Sequence, residues 1–292
     1  MTRLESDYYA HMGFDAEHSR EVLGFYVPFF DVPGPVLELA PGRGEFLGLL
    51  REAGIDAVGV DNDEGMVRAA RAAGHRVELG DALEHLHAAA PGSLAGVFCA
   101  HFVEHLPTEA VRRLLAGVRR VLVPGGRFVA ATPNAACYSV LSHDFWRDPT
   151  HVRFYDLPLL EFLCLEAGLE VDKSGPNPVN HPGPPPETFP AAAAVVHPAM
   201  TESIEAAAAR VAGSLAHGPS DRGPGDHDPA WAYELVHLVS TLSARLGETQ
   251  EALKSLHGAY RRLLGILYQA NEIFVAARAP HGGDRTGGVP AS

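Results

Sequence analysis

The run Val36-Leu37-Glu38-Leu39 reads as a strand that breaks into Ala40-Pro41-Gly42-Arg43-Gly44 and opens a helix at Glu45-Phe46-Leu47. A second strand-like run, Ala57-Val58-Gly59-Val60, ends in Asp61 at the spacing of one β-α-β unit. Glycines at 42 and 44 tolerate positive φ and let the backbone approach a ligand where a Cβ would clash. A carboxylate at the tip of the next strand is placed to accept both hydroxyls of a ribose. Together these features predict a pocket for a nucleoside-containing cofactor at the carboxyl edge of a parallel sheet.

The rest of the chain supplies that sheet. An amphipathic helix is expected over 16–30. Strands follow at 36–39, 57–61, 76–79, 94–99 and 126–132, alternating with helices at 45–53, 64–73, 108–122 and 156–167. Val121-Leu122-Val123-Pro124-Gly125-Gly126 reads as a helix stop and tight turn that delivers the fifth strand. A sixth strand is expected at 169–174, and Glu272-Ile273-Phe274-Val275-Ala276-Ala277-Arg278 closes the sheet from the far end of the chain. The fold class is α/β: a doubly wound, seven-stranded sheet with a helical insert before the last strand. The expected organisation is a main domain over 1–174 and 270–280, a flexible Pro/Ala/Gly-rich insert over 175–230 and a helical insert over 231–269. A disordered tail over 281–292 completes it. Within the flexible insert, 204–216 is helix-prone through its alanines. Leucines and other apolar residues from Leu235 to Leu267 recur at three-four spacing. One long helix or two, broken near Gly247 or Gly258, can pack on the domain or pair with a second copy as a homodimer.

Composition excludes several classes. The 292 residues are 46% hydrophobic, enough for one full core. A formal charge of −13 disfavours nucleic acid and anionic membrane surfaces as partners. No apolar run reaches the roughly 18–20 residues of a membrane span. The acidic start, Met1 to Asp7, lacks the apolar core of a signal peptide. The three cysteines, Cys99, Cys137 and Cys164, have no CxxC spacing and read as reduced thiols of a cytoplasmic protein.

The glycine loop is shorter than the G-x-G-x-x-G of dinucleotide enzymes and is preceded by Glu38 inside the strand. That arrangement resembles motif I of the class I S-adenosylmethionine-dependent methyltransferases. Asp61 resembles their ribose-binding acid, Gly80-Asp81-Ala82 the loop at the adenine edge, and Leu122 to Gly126 the turn before their fifth strand. The resemblance covers roughly residues 34–172 and the final strand. It implies S-adenosylmethionine as cofactor, with contacts at Glu38, Ala40, Gly42, Gly44, Asp61, Asn62, Asp81, Ala82 and Ala100. Ala40 stands where the family usually has glycine, which implies a slightly wider first turn.

After the fourth strand comes His101-Phe102-Val103-Glu104-His105. If the segment enters a helix, positions 101, 104 and 105 share one face and offer imidazole and carboxylate at metal-ligand spacing. Downstream lie Thr132-Pro133-Asn134 and the block from His143 to Tyr155, which contains Asp148-Pro149-Thr150-His151. This order resembles the metal-dependent small-RNA 2′-O-methyltransferases and the ubiquinone-pathway O-methyltransferases. By that resemblance Glu104, His105 and His151 are candidate ligands of Mg²⁺ or another divalent ion, with His101 in the place of a first glutamate. The Asp-Pro-Thr-His block, Phe14 and Tyr26 to Phe30 are more similar to bacterial methyltransferases of polysaccharide and glycolipid pathways, including actinobacterial enzymes that methylate mannose oligosaccharides.

The expected activity is therefore O-methylation of a sugar or oligosaccharide hydroxyl. A hydroxyl is a poor nucleophile until its proton is taken. Two mechanisms stand open: a divalent ion on Glu104, His105 and His151, or His151 or His105 as general base with Asp148 or Glu104 orienting it. Trp146, Phe154 and Tyr155 are candidates for an apolar wall against a sugar face, or for core. Tyr8, Tyr9 and His11 are candidates for a lid, or for a docking segment. Two other readings are a natural-product or small-molecule O-methyltransferase and an inactive methyltransferase-like scaffold.

Overall fold

The computed structural model describes residues 11, 15–180, 206, 209, 230–267 and 269–281. The expected lid around Tyr8 and Tyr9, most of the insert between 181 and 229, and the tail from 282 onward lie outside the described residues. The chain divides into two compact units, one made of Met1–Gly183 with Ile266–Ser292 and the other of Pro184–Gly265.

In the first unit, helix α1 (Ala16–Gly24) starts at Asp15, whose side chain accepts the N–H groups of Glu17 and His18. It is shorter than the expected 16–30, because Pro28 has no N–H for an α-helical bond and its ring would crowd the carbonyl four residues back, that of Gly24. Residues Val27–Phe29 form a 3-10 turn instead. Then follow β1 (Val36–Leu39), α2 (Glu45–Glu52), β2 (Ala57–Asp61), α3 (Glu64–Ala72), β3 (Val77–Leu79), α4 (Ala82–Ala88) and β4 (Leu94–Ala100). The second half of the unit holds α5 (Thr108–Val121), β5 (Leu122–Pro133), α6 (Tyr138–Ser142), α7 (Leu157–Glu166), β6 (Glu170–Pro176) and, after the insert, β7 (Glu272–Arg278). Helix α4 was not among the expected helices. Its signal is Asp81 followed three residues later by Glu84, an N-cap pattern, and Asp81 does accept the N–H groups of Leu83 and Glu84.

The seven strands run in the order β3-β2-β1-β4-β5-β7-β6. Strands β1 to β5 pair in parallel, and β7 lies antiparallel between β5 and β6. The last strand thus fills an interior position of the sheet. The parallel register aligns Leu39 with Val60 and Cys99, so the loops after β1, β2 and β4 open on one edge.

Alternation along β4 shows why both faces are covered. Val97 and Cys99 enter one apolar cluster with Leu37, Leu114, Val118 and Phe128. Phe98 enters the other with Tyr26, Phe30, Phe46 and Phe274, and its ring centroid is 4.0 Å from that of Phe46. Each such side chain, fully removed from water, contributes about 1.5–3 kcal/mol before chain entropy is subtracted. Cys99, Cys137 and Cys164 are buried free thiols.

Helix α8 (Ala230–Leu267), which belongs to the second unit up to Gly265, is one continuous helix of 38 residues, unbroken at Gly247 or Gly258. Leu238, Leu242, Leu256 and Leu263 are exposed on it. Among the described residues, no helix is long and apolar enough to cross a membrane.

Candidate functional site

The turn after β1 takes its shape from three positive φ angles: Ala40 at 55°, Gly42 at 56° and Gly44 at 88°. Ala40 holds the left-handed conformation in which a Cβ costs about 1–2 kcal/mol, which is why glycine is the residue expected there. The two glycines serve different ends. A Cβ on Gly42 would meet nothing within 4 Å, so the loop is open above it. A Cβ on Gly44 would lie 2.6 Å from His75 Cδ2, so Gly44 permits the helix start and its packing rather than ligand approach.

Two acids flank this loop at the sheet edge. Glu38 is buried, and its Oε2 has no hydrogen-bond partner. Burial, helped by the nearby charges of Glu45 and Asp61, holds its carboxyl well above the usual range, against a bond from the Leu47 N–H. Asp61 accepts the Gly42 N–H on Oδ2 at 3.1 Å and the Asp63 N–H on Oδ1 at 2.9 Å, which ties the glycine loop to the end of β2. Burial raises its pKa, offset in part by those amides. Asn62 is exposed beside it, and Asp63 caps α3. Asp81 and Ala82 stand at the start of α4, after β3, and Ala100 ends β4 opposite Ala131. All nine residues expected to meet the cofactor therefore stand at or beside the carboxyl ends of β1 to β4. An orphaned buried carboxyl oxygen, an open glycine turn and a strand-end aspartate fit an S-adenosyl nucleoside.

Beyond β4 the segment does not enter a helix. His101 takes φ 51°, and Val103–His105 is a single 3-10 turn. Positions 101, 104 and 105 do not share a helical face, so His101 parts from the other two. Its Nε2 is 2.7 Å from Glu272 Oε2, and its Nδ1 is 3.4 Å from Glu104 Oε1. With both nitrogens turned to carboxylates, His101 has no lone pair for a metal, although 42% of its side chain is exposed. Burial alone would lower its pKa, but its contacts with Glu104 and Glu272 raise it to about 10.

Glu104, His105 and His151 come together, each offering one ligand atom within 4.8 Å of the others. The Glu104 carbonyl accepts Val152 N–H at 2.8 Å and Arg153 N–H at 3.2 Å, which docks the 151–153 segment on the turn. Glu104 is fully buried; Thr132 Oγ1 donates to its Oε2 at 3.0 Å, while Oε1 accepts no hydrogen bond.

The two imidazoles are held alike. His151 Nδ1 lies 2.6 Å from the Phe145 carbonyl, which can only accept, so the ring is protonated there and Nε2 keeps its lone pair. Thr150 Oγ1 donates its one proton to Asp148 Oδ1 at 2.6 Å and therefore accepts from His105 Nδ1 at 2.9 Å. His105 also presents a free Nε2. Burial first, and the neighbouring His151, push the His105 pKa down against the pull of Glu104 and Asp148. Asp148 thus orients His105 through Thr150, and its Oδ2 is 3.9 Å from His151 Nε2.

The aromatic residues divide. Tyr155 is core, with its hydroxyl on the Leu106 carbonyl at 2.8 Å. Phe145 and Phe154 stack at 3.6 Å beneath Trp146, which is 66% exposed. Sequence reasoning missed Glu272, which carried no signal beyond opening a strand.

Residues 37–130 match the model of a methyltransferase domain. No curated protein matches the chain. Among solved structures it is similar to a SAM dependent methyltransferase from Archaeoglobus fulgidus, at 22% identity and a TM-score of 0.59, over 93% of this chain and 97% of that one. It is also similar to a chain of the complex between the Haloferax volcanii Trm112 methyltransferase activator and a putative methyltransferase. That match has 15% identity and a TM-score of 0.55, over 97% of this chain and 98% of that one. With the glycine turn, the strand-end acids and this sheet order, the chain carries a class I S-adenosylmethionine-dependent methyltransferase domain.

Proposed function

We propose that this methyltransferase acts on a hydroxyl, and that the hydroxyl belongs to a sugar or oligosaccharide. The observation that carries the reading is the pair of imidazoles, His105 and His151, each donating at Nδ1 and so keeping Nε2 free beside buried Glu104. A neutral amine attacks a sulfonium methyl unaided, but a hydroxyl must lose its proton as it attacks. A neutral, oriented imidazole is the group suited to take it. S-adenosylmethionine supplies an activated methyl group when bound.

The same three side chains suit a divalent cation, since each has one donor atom uncommitted. Such an ion on Glu104, His105 and His151 would lower the cost of forming an alkoxide. The chain's own residues do the rest. Asp148 and Thr150 fix the His105 ring, the Phe145 carbonyl fixes His151, and Thr132 fixes Glu104. Exposed Trp146, backed by stacked Phe145 and Phe154, offers an aromatic face of the kind that sugar rings pack against.

The test is methyl transfer from isotopically labelled S-adenosylmethionine to panels of sugars, phenols and amines, read by mass spectrometry. Label on a sugar hydroxyl is the expected result. Label on amines alone, or on phenols alone, would overturn the acceptor assignment. Repeating the assay in chelator, with Mg²⁺ added back, separates the cation from the unaided base.

A further inference from the structure

We propose that Glu272, at the start of β7, is a positioning residue that sets the Glu104 carboxylate through the ring of His101. The inference rests on the hydroxyl-activating reading of the Glu104–His105–His151 cluster.

Glu272 is 171 residues from His101 in sequence, yet its Oε2 lies 2.7 Å from His101 Nε2. The carboxylate is fully buried and its other oxygen is occupied. Oε1 accepts from the Tyr26 hydroxyl and from Asn177 Nδ2 at 2.9 Å. Asn177 Nδ2 also reaches the Tyr26 oxygen at 3.1 Å and the Val22 carbonyl at 3.3 Å, and the Asn177 N–H bonds the Glu272 carbonyl at 2.9 Å. Side chains from two separate segments, Tyr26 and Asn177, thus fix one carboxylate before it meets His101.

The histidine passes this order on. Its backbone holds φ 51°, a conformation that costs a non-glycine residue about 1–2 kcal/mol and persists only where the surroundings impose it. The His101 N–H continues the sheet ladder to the Ala131 carbonyl at 2.9 Å, so the strain falls where the chain turns from β4 towards Glu104. The ring then spans the two acids. Nδ1 stands 3.4 Å from Glu104 Oε1, a contact that makes no hydrogen bond and leaves Oε1 able to accept a partner. Thr132 holds Oε2 from the other side. Glu104 is therefore gripped from both flanks, and the grip on Oε1 is anchored at Glu272. A glutamine at 272 would offer His101 an amide N–H or a weaker carbonyl in place of a carboxylate, and the ring would lose the partner that aims it.

The test compares wild type with Glu272→Gln and, since a buried substitution can impair folding, with Tyr26→Phe, which removes one hydrogen bond to Oε1 and keeps the ring. Loss of a partner behind a site residue lowers activity roughly 10- to 100-fold. We expect that fall in kcat for Glu272→Gln, a smaller fall for Tyr26→Phe, and S-adenosylmethionine affinity within twofold of wild type for both. A crystal structure of the variant supplies a readout independent of turnover: the His101 ring stays between the two acids in wild type and leaves that place in Glu272→Gln. Unchanged kcat in both variants, equal loss of cofactor affinity, or an unmoved His101 ring in folded Glu272→Gln would overturn the proposal. A wild-type enzyme that methylates no hydroxyl, with the ring shift still present, would overturn the hydroxyl reading instead.

Discussion

The carbonyl of Glu104 accepts the N–H of Val152 at 2.8 Å, and this bond brings His151 beside His105, with ring centroids 4.7 Å apart. The Arg153 N–H on the same carbonyl, Thr150 on His105 and Tyr155 on the Leu106 carbonyl hold the segment after α6 to the turn that follows β4. His151→Ala should then lower kcat by roughly 10²- to 10⁴-fold, the range of a lost acid–base group. Calorimetry should show S-adenosylmethionine affinity within twofold of wild type, because the glycine loop and Asp61 are untouched. Parallel loss of both would mean that His151 is structural.

Gly42 and Gly44 should respond differently to the same substitution. Gly42→Ala meets open space, so its folding cost is the backbone strain alone, about 1–2 kcal/mol. Its main effect should be on cofactor affinity, on the order of tenfold. Gly44→Ala adds a clash with His75 to the same strain and should cost about 2–4 kcal/mol of stability. Urea unfolding and calorimetry on the two variants check the pair. A larger stability loss for Gly42→Ala would refute the division of roles.

The His101–Glu272 pair should leave a mark on stability against pH. His101 holds its proton up to about 10 in the fold against 6.5 ordinarily, so its contribution is fully present below about pH 6.5 and is lost as pH rises towards 10. Burial alone would raise the Glu272 carboxyl, but the His101 hydrogen bond and charge together with the bonds from Tyr26 and Asn177 hold it below the carboxylate range, so its contribution is present above about pH 4.5 and is lost as pH falls. The stability difference between wild type and His101→Gln should peak between about pH 5 and 6.5 and shrink steadily to pH 10. Denaturant titrations at pH 5.5, 7.5 and 9.5 measure it, and a difference that grows with pH would contradict the pairing.

Trp146 should matter to the acceptor and little else. Its indole Nε1 donates to the Leu141 carbonyl at 2.9 Å, worth about 1 kcal/mol of stability, while two-thirds of the side chain faces solvent. Trp146→Ala should raise the acceptor KM roughly 3- to 10-fold, the value of one aromatic stacking contact, with kcat and cofactor affinity unchanged. Steady-state kinetics over a sugar series decides it. A fall in kcat alone would place the residue elsewhere in the cycle.

The amino-acid sequence by itself determined the β1 turn, Asp61 at the tip of β2 and the alternation that makes a doubly wound sheet. Each of these depends on residues within one turn or one β-α-β unit, where glycine conformations, caps and apolar periodicity act directly on the neighbouring backbone. Glu104 and His105 were legible as candidates from spacing and residue type, while His151 became one only through the resemblance carried by Thr132-Pro133-Asn134 and Asp148-Pro149-Thr150-His151. What that reading could not supply was the separation of His101 from them, since a 3-10 turn after a left-handed residue differs from a helix only in backbone angles. Nor could it assign Glu272, which meets His101 across 171 residues because β7 enters between β5 and β6. Only the packed sheet brings those two strand ends together, and a buried carboxylate holds its place there because Tyr26, Asn177 and His101 supply the donors that water would otherwise provide.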